Sequence, residues 1–83
     1  MQNKRLTELK LGEKAVIYKT EAIGKTRIRL QELGFINGTV VECYLISPLG
    51  EPVAYKIKNT IIALRYEDAI TIIIEPIDIT SEE

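Results

Sequence analysis

Short runs of alternating apolar and polar residues, turns marked by glycine or asparagine, and one helical stretch stopping at a glycine predict a small, strongly bent β-barrel with one inserted helix. The alternation is clearest at residues 53–58, where Val53, Tyr55 and Ile57 face in while Ala54, Lys56 and Lys58 face out. The helical stretch is Arg-Ile-Arg-Leu-Gln-Glu-Leu-Gly at 27–34. Leu30 and Leu33 are three apart and share a face, and Gly34 follows where a left-handed C-cap favours a residue without a Cβ. With 83 residues, the chain has room for one domain. That domain is expected over residues 1–76, followed by an acidic tail at 77–83 that is a candidate weak edge strand.

The N-terminal Leu-Thr-Glu-Leu-Lys-Leu-Gly at 6–12 fits a helical turn or an extended flap. Either way it is expected to tuck Leu6, Leu9 and Leu11 onto the core. Gly12-Glu13 makes a turn into the first strand, 14–19, with Ala15 and Ile17 on one side and Val16 and Tyr18 on the other. Residues 20–26 read as a loop with Thr26 as the helix N-cap. Three positions later stands Arg29 rather than a glutamate, so no capping box forms.

Asn37-Gly38 is a second tight turn before the longest strand, 39–46. There Val41, Cys43 and Leu45 are expected inside, with Glu42 and Tyr44 opposite. Ser-Pro-Leu-Gly-Glu-Pro at 47–52 is a turn-rich loop, and Asn59-Thr60 turns strand 53–58 into strand 60–64. A polar helical turn at 65–68 precedes the last strand, 69–75, with Ile70, Ile72 and Ile74 inward. Pro76 is expected to end the pairing, and with Glu75 it guards the isoleucine run against aggregation.

Composition removes most chemistry. Twelve acidic against eleven basic residues leave a net charge of -1, which gives no general pull toward nucleic acid or an anionic membrane. The chain has no histidine and a single cysteine, Cys43, so the usual general base, an intrachain disulfide and a thiolate metal cluster are all excluded. Cys43 reads as an inert core residue. The five glycines make no phosphate-cradling loop. Glu67-Asp68 reads as a solvated turn, and Asp78, Glu82 and Glu83 lie on a terminus without fixed geometry for a metal. No segment approaches the roughly 18 apolar residues of a membrane helix, and no apolar run follows the basic N-terminus as in a signal peptide. A soluble, cytoplasmic, non-enzymatic protein without cofactor or metal is expected.

What remains is a surface to bind with. Val16, Tyr18, Tyr44, Ile46 and Ile73 fall on outward positions. Either the helix and N-terminal flap cover them, or they form an apolar strip for a protein partner. Arg29 and Arg65 either pair with Glu32 and Glu67 or contact a ligand.

Four motifs occur in order: Leu-x-x-Leu-x-x-Gly-Glu at 6–13, Arg-Leu-x-Glu-Leu-Gly-Phe-x-x-Gly-Thr at 29–39, Pro-Leu-Gly-Glu-Pro at 48–52, and Ile-Ala-Leu-Arg-x-x-x-Ala-x-x-Ile at 62–72. The set resembles FeoA, the small cytoplasmic accessory protein of bacterial and archaeal ferrous-iron uptake, from Leu6 to about Glu75. The resemblance implies an SH3-like five-stranded β-barrel with one inserted short helix. It also implies association with FeoB, the membrane iron transporter with a cytoplasmic GTPase domain, which would own any nucleotide hydrolysis. The contact residues we assign on this reading are Arg29, Tyr44, Pro48, Leu49, Pro52 and Arg65, with no nucleic acid, no membrane insertion and a weak homo-oligomer left open. Asn37 and Asn59 depart from the family's usual proline and glycine, and both keep turn chemistry. Two rival readings are a module like the C-terminal domain of metal-dependent repressors, and a small RNA-binding barrel based on Tyr55, Lys56 and Lys58.

Overall fold

The computed structural model describes residues 3–77. It contains six strands: β1 (Lys4–Arg5), β2 (Lys14–Thr20), β3 (Val40–Ile46), β4 (Val53–Ile57), β5 (Thr60–Leu64) and β6 (Ile72–Pro76). A 3₁₀ turn (Leu6–Glu8) follows β1. Helix α1 (Gly24–Leu33) is inserted between β2 and β3, and the single turn α2 (Tyr66–Ala69) joins β5 to β6. All strand pairings are antiparallel, in the order β1-β6-β2-β3-β4-β5. This is the small, mainly β architecture expected, with the short β1 as a sixth strand. Among the described residues no ladder joins β1 to β5, so the sheet curls without closing.

The alternation of β2 and β4 appears as read: Ala15, Ile17, Tyr55 and Ile57 are buried. They enclose one core with Leu6, Leu30, Phe35, Val41, Cys43, Leu64, Ile72 and Ile74. Two bulges bend the sheet, each leaving a tyrosine without a cross-strand partner. Tyr18 is the extra residue between β2 and β6, and Tyr44 the extra residue between β3 and β4. A bulge kinks its strand and raises the local twist, which is how so short a sheet curls on itself. Both tyrosines are exposed.

The Tyr44 bulge overturns one expectation. Beyond it the period-2 pattern slips by one residue, so Leu45 pairs with Ala54 and lies 58% exposed rather than in the core. The N-terminal lead-in splits as well: Leu6 and Leu9 are buried, but Leu11 stands in the turn with Gly12 and is exposed. Ile70 caps α2 in an α conformation and is half-buried, because the helical turn takes residues expected in the last strand. Pro76 does not end pairing. It lies opposite Ala15, and Ile77 beyond it donates its N–H to the Lys14 carbonyl at 3.2 Å. The expected tail at 78–83 lies outside the described residues.

Helix α1 starts two residues before Thr26, after Ile23, and no side chain caps it. Thr26 is therefore inside the first turn. Its C-terminus closes as a Schellman motif. Gly34, at φ 110°, donates to Gln31, while Phe35 donates to Leu30 at 3.0 Å. This folds Phe35 back onto Leu30, and both are buried, so Phe35 takes the place expected for Leu33. The following turn is pinned to β2: the Asn37 side-chain amide donates to the Tyr18 carbonyl, and Gly38 donates to Ile17 at 2.7 Å.

Candidate partner-binding site

The 47–52 loop and helix α1 both reach α2. Arg65, in extended conformation, is its N-cap. The first N–H of the turn, from Tyr66, is accepted by the Glu51 carboxylate at 2.6 Å, which ties the 47–52 loop to α2. On the other side Asp68 accepts from the Arg29 guanidinium at 2.9 Å, which ties α1 to α2. Arg29 thus pairs with Asp68 and not with Glu32, since α1 presents it to its neighbour rather than along its own surface. No ion pair of Arg65 with Glu67 occurs among the described residues.

Next to α2 lies an apolar groove of about 160 Å³, lined by Thr7, Leu9, Ile46, Gly50, Val53, Tyr55, Leu64, Tyr66 and Ala69. Tyr55, paired across the sheet with Cys43, lines it from β4. Burial, and secondarily Cys43, pushes the Tyr55 phenol up to about 12, so it stays neutral. Burial also raises the Cys43 thiol, with Glu13 and Glu42 adding to it, which keeps the sulfur unreactive. Elsewhere, Arg5 bonds to Glu21 and holds that carboxyl below its ordinary range.

The six residues assigned from sequence are all exposed. Four of them, Pro48, Leu49, Pro52 and Arg65, belong to the loop and cap that meet at the start of α2, and Arg29 reaches α2 from the helix. Tyr44 stands apart at the β3 bulge, two residues before Ile46 of the groove. Leu49, at 95%, is the most exposed large apolar side chain among the described residues. Of the outward apolar residues, Ile73 is buried and Val16 half-buried, whereas Tyr18, Tyr44 and Ile46 remain exposed. The strip is therefore partly covered and partly open. Sequence reasoning missed Glu51, Tyr66 and the groove itself, and also the exposed Ile23 and Ile28 of α1. Only the glutamate set between Gly50 and Pro52 hinted at a side chain held by turns on both sides.

Among the described residues no group of three or more histidine, cysteine, aspartate or glutamate side chains is placed to hold a metal. Among the described residues no helix is long and apolar enough to cross a membrane. The face around α2 presents exposed apolar side chains and two arginines, one of them paired with Asp68.

A family model described as the FeoA domain matches residues 4–76. The chain belongs to the FeoA domain family. A protein of Porphyromonas gingivalis named as an Fe(2+) transport protein A/Fe(2+) transporter FeoB fusion protein is 45% identical over 74 residues. That match covers 86% of this chain and 8% of the longer one, so this FeoA domain spans a small part of that relative. Iron(II) transport protein A from Clostridium thermocellum is 34% identical with a TM-score of 0.86, covering 89% of this chain and 46% of that one. FeoA of Stenotrophomonas maltophilia, solved with zinc and described as a prokaryotic SH3 domain protein, is 30% identical with a TM-score of 0.78, covering 87% and 89%. The SH3-like fold expected from the motifs is thus the one found. The same fold occurs in T. acidophilum IdeR, at 17% identity and a TM-score of 0.82, over 93% of this chain and 35% of that one.

Proposed function

We propose that this FeoA domain is a non-enzymatic accessory of ferrous-iron uptake that binds the cytoplasmic GTPase region of a FeoB-like transporter through the face around α2. The observation that carries this reading is the Porphyromonas gingivalis relative, whose name joins transport protein A to FeoB in one chain. A covalent link holds two modules at a high effective concentration, which favours parts that act in contact.

The α2 face has the chemistry for such a partner. Leu49 is an apolar anchor on a loop that carries prolines at positions 48 and 52, so little loop freedom is lost on docking. The groove beside it offers an apolar floor, and the exposed Arg65 at the start of α2 supplies a cation for a carboxylate. Nucleotide hydrolysis belongs to the partner on this reading, and the domain biases it by binding one nucleotide state better than the other.

A titration of the isotope-labelled domain against the GTPase region, with GDP and then with a GTP analogue, tests the proposal. Saturable NMR shifts are expected at residues 44–52 and 65–69. Leu49→Ser is expected to weaken binding by about tenfold or more without lowering the Tm, because Leu49 touches little of its own chain. Silence up to about 500 μM, a range that still detects weak complexes, with the full-length transporter also silent, rejects the reading.

A further inference from the structure

The two ends of the sheet are built differently. β1 is two residues long and both are basic, Lys4 and Arg5. A short, charged edge resists pairing with another chain. β5, at the other end, is Thr-Ile-Ile-Ala-Leu, with no charge, no proline and no bulge. It has none of the features that normally keep an exposed edge single.

The phase of β5 follows from its turn. Lys58 and Asn59, at φ 49° and 67°, form the two-residue loop between paired Ile57 and Thr60. In such a hairpin the flanking pair is hydrogen-bonded, and alternate pairs follow suit. Thr60, Ile62 and Leu64 therefore turn their N–H and C=O groups to β4, while Ile61 and Ala63 turn theirs outward. Among the described residues neither Ile61 nor Ala63 enters a backbone hydrogen bond outside the β4–β5 ladder. Ile61 is 47% exposed, and Ala63 is exposed.

We propose that β5 pairs antiparallel with β5 of a second copy, about a two-fold axis through Ile62, joining two curled sheets into one. In this register Ile61 lies opposite Ala63 of the second copy, and each exchanges both of its outward bonds, four in all. Two-fold axes through Ile61 or Ala63 would use only one residue pair in this way. The large Ile61 side chain meets the small Ala63, so the shared face fits without overlap. Charge agrees as well. β5 itself carries no charged residue, so this register sets no like charges opposite one another along the strand. A net charge of -1 per chain adds little repulsion between copies. The partner here is another FeoA domain and the surface is separate from Leu49, so this inference stands apart from transporter binding.

Sedimentation of the full chain from about 10 μM to about 1 mM covers the range expected for so small an interface. The average mass is expected to climb from 9.4 kDa toward its double. Over the same range the amides of Ile61 and Ala63 should exchange more slowly with solvent. Ala63→Pro removes one outward N–H and leaves every bond to β4 in place; Ile61→Lys puts a charge on the edge. Each is expected to abolish the rise in mass while the far-UV spectrum is kept, and Leu49→Ser to leave it intact. A chain that stays monomeric at the highest concentration overturns the proposal. So does a dimer that survives both edge substitutions, or edge amides protected only when a different protein is added.

Discussion

β6 and the end of β3 carry three consecutive large apolar residues each, yet they lie in opposite environments. Ile72, Ile73 and Ile74 are all buried, whereas Tyr44, Leu45 and Ile46 are all exposed. The side chains do not explain the difference. β6 is paired on both sides, by β1 and β2, while the end of β3 lies past a bulge and runs into the 47–52 loop. Apolar content shows what a strand is able to bury; its place in the sheet decides whether it does. The core is filled without Leu45 and Ile46, which leaves them available for contacts with other molecules.

The sharpest way to break this comparison is Ile74→Ala, which truncates a fully buried side chain at the centre of the β6 ladder. It is expected to cost about 2–5 kcal/mol, read as a lower urea midpoint with an unchanged slope. A loss below about 1 kcal/mol would mean that β6 is no more central than β3. A smaller effect separates the buried tyrosine from the exposed ones. Tyr55 has its phenol raised from 10.0 to about 12 in the folded chain. The unfolded chain therefore releases that proton first, so stability is full below pH 10 and falls as the pH rises toward 12. Tyr55→Phe should flatten this part of the stability profile, and an unaltered slope would locate the alkaline transition elsewhere. Smallest is Leu45→Ser. At 58% exposed it should move stability by no more than about 0.5 kcal/mol. A cost near that of Ile74→Ala would show that the β3 alternation runs on through Tyr44 without a bulge.

The same comparison shows what the sequence disclosed. Period-2 alternation located β4, turn residues located β2 and β5, and the glycine at 34 ended the helix where the Schellman motif lies. Alternation has no mark for a bulge, however, because the extra residue looks like any other until its partner strand is in place; Leu45 was misplaced for that reason. Phe35 follows a glycine, outside any helical period, so its return onto Leu30 was not visible in spacing. The site was legible in its exposed turn residues and illegible in its wiring. Glu51 to Tyr66 and Arg29 to Asp68 span 15 and 39 positions, and a local pattern carries no information about either.

The placement of Cys43 gives this domain a built-in clock. Its sulfur lies wholly inside, opposite Tyr55, with no second thiol in the chain. A labelling reagent has to wait until β3 and β4 come apart, so the pace of modification in dilute reagent reports how often the sheet opens and how far from that opening the native state sits. The same shelter keeps folded copies from cross-linking in air, so the chain needs no protective reductant while intact, and a covalent dimer in a stored sample is a record of molecules that had unfolded.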